Sequence, residues 1–242
     1  MQIPFELQAL SGAREYQRWI YQAVAPHLGK RILELGSGIG NLSSWLPDRE
    51  LLVLSEVDPN LISILRTNPE VQNKKNTQIM HLNLEQNFGQ QLAPFDLDTI
   101  VSFNVMEHVE NDRSAFQDQV LALKNSRAKG PKRIVSFVPA HPLAFGSFDR
   151  IFQHYRRYNK KMLKEHFSKI DPEIDLHMHY FNALSLPAWI IQGRLLQKTK
   201  LNSSQVKLLD RIIPYWKPLD FLLMNVLKLP FGQSLVCVAT IE

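Results

Sequence analysis

Two stretches of this 242-residue chain hold side chains that could do chemistry. The first is FDRIFQHYRRYN, residues 148–159, which gathers His154, Tyr155, Arg156, Arg157 and Tyr158. An imidazole is the usual general base near neutral pH. A guanidinium grips a carboxylate or phosphate in a two-pronged fork. His154 and Tyr155 are therefore the catalytic candidates. His154, Arg156, Arg157 and Tyr158 are the candidates for holding an acceptor. The second stretch is RILELGSGIGN, residues 31–41, an apolar run entering a turn with Gly36, Gly38 and Gly40. Such a turn lets backbone approach a ligand closely. It suits the pyrophosphate of a dinucleotide, a nucleoside without phosphate, or simply a tight bend.

These groups need a scaffold, and the hydrophobic pattern supplies one. Apolar runs at 31–35, 51–57, 77–82, 97–105 and 132–140 read as strands buried on both faces. Helical stretches alternate with them. Residues 12–28 form an amphipathic helix carrying Tyr16 and Trp19. Asn41 can cap a short helix ending near Pro47. Asp58 and Pro59 open another, and 114–127 and 160–167 follow. Strands are also expected at 174–182 and 235–241. Between them, three apolar segments (185–198, 203–213 and 216–228) read as helices. The expectation is one α/β domain over residues 1–242. It has a Rossmann-like, seven-stranded, mainly parallel sheet with helices on both faces. It adds an N-terminal helix and a helical lid inserted before the last strand. Residues 30–140 form the binding core, 141–173 a substrate loop and helix, and 183–230 the lid. In such sheets ligands sit beyond the carboxyl ends of the strands, which is where the glycine turn lies.

Two carboxylates narrow the ligand. Glu56 lies twenty residues beyond Gly36, at the end of the second strand, where it can accept from ribose hydroxyls. Glu34 lies two residues before the turn. A carboxylate there suits an ammonium group and repels a pyrophosphate. In order, LELGSGIGN, SEVDP, HLNLEQ and SFNVMEHVEND resemble the class I S-adenosylmethionine (SAM)-dependent methyltransferases, over residues 30–140. The resemblance implies SAM as methyl donor and S-adenosylhomocysteine as product. It implies that Gly36, Ser37, Gly38 and Gly40 wrap the methionine part, with Glu34 orienting its ammonium. Glu56 would take the ribose, and Val57 and Asp58 would line the adenine. Asn83 stands where the family usually has Asp, and Leu84 packs on the ring. Asn104 and Val105 would lie beside the transferable methyl; His108 is expected to pack on the cofactor, and Tyr16 to contact it as the N-terminal helix closes over it. The segment H-x-R-R-Y also recurs in a subset of these enzymes.

The expected activity is methyl transfer by in-line displacement, without metal. The acceptor is an oxygen, including a carboxylate, or a nitrogen of a small or peptide-like, partly apolar molecule, as in natural-product biosynthesis. An NAD-dependent oxidoreductase and an inactive SAM-fold binding protein are the rivals. A net charge of +5 with scattered basic residues argues against nucleic acid. The single cysteine excludes an internal disulfide and a thiolate metal cluster. The start MQIPFELQAL is not a secretory signal, so a cytoplasmic protein is expected. No segment is apolar enough to span a bilayer. The apolar insert suits a substrate cover, a peripheral membrane contact or a homodimer interface.

Overall fold

The computed structural model describes residues 3–199 and 203–241. Seven strands form one sheet: β1 Arg31–Leu35, β2 Leu51–Glu56, β3 Thr77–His81, β4 Thr99–Phe103, β5 Lys132–Pro139, β6 Asp175–Phe181 and β7 Ser234–Ile241. Their spatial order is β3-β2-β1-β4-β5-β7-β6. The pairs among β1 to β5 are parallel, and β7 runs antiparallel to both neighbours. The chain builds outward from β1 in one direction, then returns to place β4 on the other side. That reversal opens a crevice at the carboxyl ends of β1 and β4.

Alternation along the strands divides the core into two layers. Leu33, Leu35, Ile100, Ile134 and Leu235 face one side. There they meet Phe116 and Val120 of α5 (Asp112–Lys124), and Leu163 and Phe167 of α7 (Lys160–Ile170). Ile32, Leu54, Val101, Val135 and Val236 face the other side. They meet Trp19, Ile20 and Val24 of α2 (Arg14–Val24), and Leu65 of α3 (Pro59–Thr67). Asp58 caps α3 by accepting from Asn60 N–H at 2.8 Å, and Pro59 occupies its first position. A four-residue α4 (Pro69–Gln72) follows directly.

The helices differ from expectation in three places. First, α2 is preceded by α1 (Phe5–Ser11), which pattern alone did not reveal. Second, the expected helix after the glycine turn is only a 3-10 turn, Ser43–Trp45. Asn41 does not cap it; its side-chain amide donates to Leu7 O at 2.8 Å and ties α1 to the turn. Third, the insert is differently divided. A short α6 (Ser147–Ile151) precedes α7; after β6, α8 (Ser185–Trp189) runs into a π-helix, Ile190–Leu195. The two later segments are one helix, α9 (Ser203–Phe221), followed by a π-helical turn, Leu222–Val226. Pro214 and Pro218 lie inside α9 on its exposed side. Water can satisfy the carbonyls their missing N–H groups leave free. Buried Ile213 and buried Asp220, which accepts from Asn182 and Ala183 N–H, hold the helix across them.

Candidate active site

At the end of β1 the chain must turn sharply past β4. Gly36 has φ +61°, and a Cβ there would stand 2.6 Å from a Val105 methyl. Only glycine tolerates both demands. Gly38, at φ +56°, donates its N–H to Glu56 Oε2 at 2.8 Å. Glu56 Oε1 accepts from Val57 and Asp58 N–H at 2.7 and 3.1 Å. Glu56 therefore braces the turn and β2's exit. A carboxylate has about four acceptor positions, so one remains beyond these three bonds.

Glu34 is 2% exposed, and its Oε2 has no hydrogen-bond partner. Burial pushes its carboxyl up to about 7, and the nearby Ser43 and Ser37 hydroxyls offset only part of this. A buried carboxylate with an unpartnered oxygen is a seat for a cation.

Both carboxylates open onto a cavity of about 730 Å³, large enough for a nucleoside cofactor plus a small acceptor. Gly36, Ser37, Gly38, Val57, Asn83, Leu84, Asn104, Val105 and His108 line it. Asn104 sits at φ +51°, a left-handed conformation that Asn accepts more readily than most residues. Asn83 Oδ1 accepts from Glu85 N–H at 2.9 Å, in a turn that presents Leu84 and Glu85 to the cavity.

Three residues expected at the cofactor stand elsewhere. Gly40 packs the turn against Leu65, Asn68 and Val71. Asp58 is a helix cap. Tyr16 points away from the cavity, toward Asn182 and Ser234, and burial raises its hydroxyl's pKa. Leu7 and Leu10 of α1 and Ile20 of α2 close the cavity instead. Among the described residues, none of 183–230 lines it.

The wall opposite α1 comes from Ile151, Phe152 and Gln153. Directly behind them stands His154, its side chain 6% exposed. His154 Nδ1 lies 3.1 Å from Asp149 Oδ1, and Nε2 is buried without a partner. Asp149 is fully buried and also accepts from Gly146 N–H at 2.8 Å and from Arg157 Nε at 2.6 Å. Burial opposes its ionisation, but the His154 contact, Arg157 and the Gly146 N–H outweigh it and hold its carboxyl below the usual range. An ionised Asp149 requires His154 to carry its proton on Nδ1, which leaves Nε2 as a base. The His108 ring stands edge-on to His154, centroids 4.7 Å apart. Burial and the neighbouring His154 depress the His108 pKa to about 4, so it is neutral at pH 7.

Glu107, fully buried, completes this corner. One ligand atom from each of Glu107, His108 and His154 lies within 4.8 Å of the others. No metal-binding constellation was legible in the sequence. Here a 3-10 turn, Met106–His108, meets a loop more than forty residues later, and only the fold brings them together.

The remaining candidates of this loop have other duties. Arg157 is 1% exposed; besides Asp149 it donates to Ala140 O at 3.0 Å and lies over the Trp189 ring. Arg156 donates to Val109 O and Glu110 O and pairs with Asp112 at 2.7 Å. Tyr158 is fully buried and donates to Asp112 Oδ2, with Met106 O at 2.9 Å from its hydroxyl. Tyr155 is half exposed, stacks near Arg156 and does not line the cavity. Neither arginine is placed to grip an anionic acceptor. Asp149 is not among the sequence-expected site residues. Its signal was present: it lies five residues before His154 in the same segment.

Residues 10–130 match the family described as methyltransferase domain. The chain belongs to that family. No curated protein matches this methyltransferase. Among solved structures it is similar to the methyltransferase domain of bacterial CtHen1-C. The two share 14% identity and a TM-score of 0.57, covering 95% of this chain and 98% of that one. A SAM-dependent methyltransferase from Archaeoglobus fulgidus gives 14% identity and a TM-score of 0.56, covering 94% of each chain. Magnesium protoporphyrin IX methyltransferase from Synechocystis PCC 6803, solved with bound S-adenosylhomocysteine, gives 13% and 0.52, covering 74% of this chain and 81% of that one. The fold is that of the class I SAM-dependent methyltransferases.

Proposed function

We propose that this methyltransferase moves the methyl group of SAM to a hydroxyl oxygen of a small, partly apolar acceptor, with His154 as general base. SAM supplies a sulfonium whose methyl is ready for in-line displacement. The residues present fit it. Glu34 Oε2, buried and unpartnered, suits its ammonium. The glycine turn admits its backbone, and Glu56 keeps one acceptor position for the ribose.

The observation that carries the reading is the corner where the His108 and His154 nitrogens and the Glu107 carboxylate converge within 4.8 Å. His108 lines the cavity while Glu107 and His154 lie behind its wall, so the acceptor oxygen meets this corner beside His108. His154 Nε2 takes its proton as the new O–C bond forms, and Asp149 steadies the resulting imidazolium. Arg157 fixes Asp149 and so acts as a positioning residue. The apolar walls, Leu7, Leu10, Ile151 and Phe152, match an apolar acceptor and keep water out. A carboxylate acceptor would need a guanidinium grip, which neither Arg156 nor Arg157 is placed to give. Natural-product tailoring in a cytoplasmic setting fits such an acceptor.

The test is His154→Ala in a panel of hydroxylated acceptors. Turnover should fall about 100-fold or more, with unchanged SAM affinity. Wild-type turnover in the variant would remove His154 from the mechanism. The same convergence favours one other reading, in which Glu107, His108 and His154 hold a divalent cation that polarises the acceptor hydroxyl. Activity that vanishes with EDTA and returns with magnesium, manganese or zinc would select it.

A further inference from the structure

The insert between β6 and β7 contributes nothing to the cavity, yet its outer face is strongly apolar. α9 carries two apolar stripes. Leu209 and Ile213 turn inward onto the sheet-facing core, where Ile213 is fully buried. On the other side Leu208, Tyr215 and Leu219 follow at intervals of seven and four residues, and Leu222 opens the π-turn beyond them. That spacing is one straight stripe on a helix, and Tyr215 is 81% exposed. Leu195 and Leu196, at the end of the π-helix after α8, are also exposed. A helix apolar on both sides belongs in a core, and here one side faces outward.

Charge identifies the occupant. Residues 183–230 contain seven Lys or Arg and two acidic residues. Both acids turn inward: Asp210 accepts from Tyr16 N–H, and Asp220 from Asn182 and Ala183 N–H. The outer surface keeps exposed Lys198, Lys207, Arg211 and Lys228, and Arg211 falls within the stripe, between Leu208 and Tyr215. A second copy meeting this face symmetrically would set these cations against their equals. Nucleic acid has no use for the leucines. Anionic lipid answers both features: the leucines and Tyr215 enter the headgroup–acyl boundary, and the cations meet phosphates. No described helix is long and apolar enough to cross a membrane, which fits a helix lying in the interface plane.

We propose that the outer face of α9, with the π-turn that follows it, seats this protein on an anionic lipid bilayer. α1 packs on α9, and α6 packs on the π-helix. Both border the cavity, so the docked protein holds its cavity close to the lipid. The proposal uses no cavity residue, and its test reads binding rather than methyl transfer.

The experiment is cosedimentation of the full chain with vesicles of pure phosphatidylcholine and with vesicles that are half phosphatidylglycerol. Binding to the anionic vesicles should be at least ~10-fold tighter and should weaken with salt. The double variant Leu208→Ser, Leu222→Ser should lose it. Lys207→Glu with Arg211→Glu should weaken it by ~10-fold or more. All four residues are exposed, so circular dichroism should show unchanged folding. Three results would overturn the proposal: no sedimentation with anionic vesicles, equal binding to both vesicle types, or a dimer in analytical ultracentrifugation that both double variants dissolve.

Discussion

Glu34 shows at the scale of one side chain how the site trades stability for binding. Its folded pKa of about 7 lies above the ordinary value of 4.5. A raised acid binds its proton more tightly when folded. Its stabilising contribution is therefore complete below about pH 4.5 and lost as pH climbs through about 7. Glu34→Gln should stabilise the cofactor-free protein at pH 8 by on the order of 3 kcal/mol, measured by urea unfolding, while weakening SAM. Equal stability at pH 8 would show that the carboxylate is not strained. Arg157 gives a contrasting case. Arg157→Met leaves Asp149 buried without its ionic partner and should cost about 3–5 kcal/mol. A fully stable variant would place that pair outside the structural core. In a chain read as letters, HYRRY is five neighbouring candidates. In space, Arg157 turns into the interior, Arg156 turns to the 109–112 loop and Tyr155 turns outward. Adjacency in sequence says which residues share a loop, but not which way each one points.

At the scale of elements, β1, β2, β4, β5 and β7 were legible because burial on both faces demands short continuous apolar runs, while the edge strands β3 and β6 are partly exposed. Each of the seven lies within two residues of its expected bounds. α1 was not legible. It is seven residues long and has no side-chain cap. Its reason to exist is tertiary: Leu7 and Leu10 roof the cavity, and Leu7 O receives the Asn41 amide. Asn41→Ala cuts that tie and leaves the glycine turn in place. It should weaken SAM binding several-fold, by the ~1 kcal/mol of one hydrogen bond, with little change in melting. Unchanged affinity would show that α1 closes without it. The glycine turn makes a sharper claim. Gly36→Ala forces a Cβ into the space of Val105 at positive φ. It should abolish cofactor binding, and normal affinity would refute the assignment of the turn.

For the whole molecule, the reversal of strand order beside β1 explains why one crevice collects the cavity-lining groups. Glu34 and the turn come from β1, Glu56 from β2, and Asn104 and His108 from the exit of β4, while His154, from the segment after β5, stands behind the cavity wall. The sequence motifs marked the proposed donor side because those residues cluster around single turns. The proposed acceptor corner, Glu107 with His154 and Asp149, depends on contacts that only the folded sheet creates. The most direct measurement of the account is calorimetric titration of the full chain with S-adenosylhomocysteine and with NAD at pH 7, in buffers of different ionisation enthalpy. S-adenosylhomocysteine should bind and release about half a proton, because its ammonium converts a half-protonated Glu34 to the carboxylate. Glu34→Gln should release none. Binding of NAD without S-adenosylhomocysteine, or cofactor binding with no proton linked to Glu34, would contradict it.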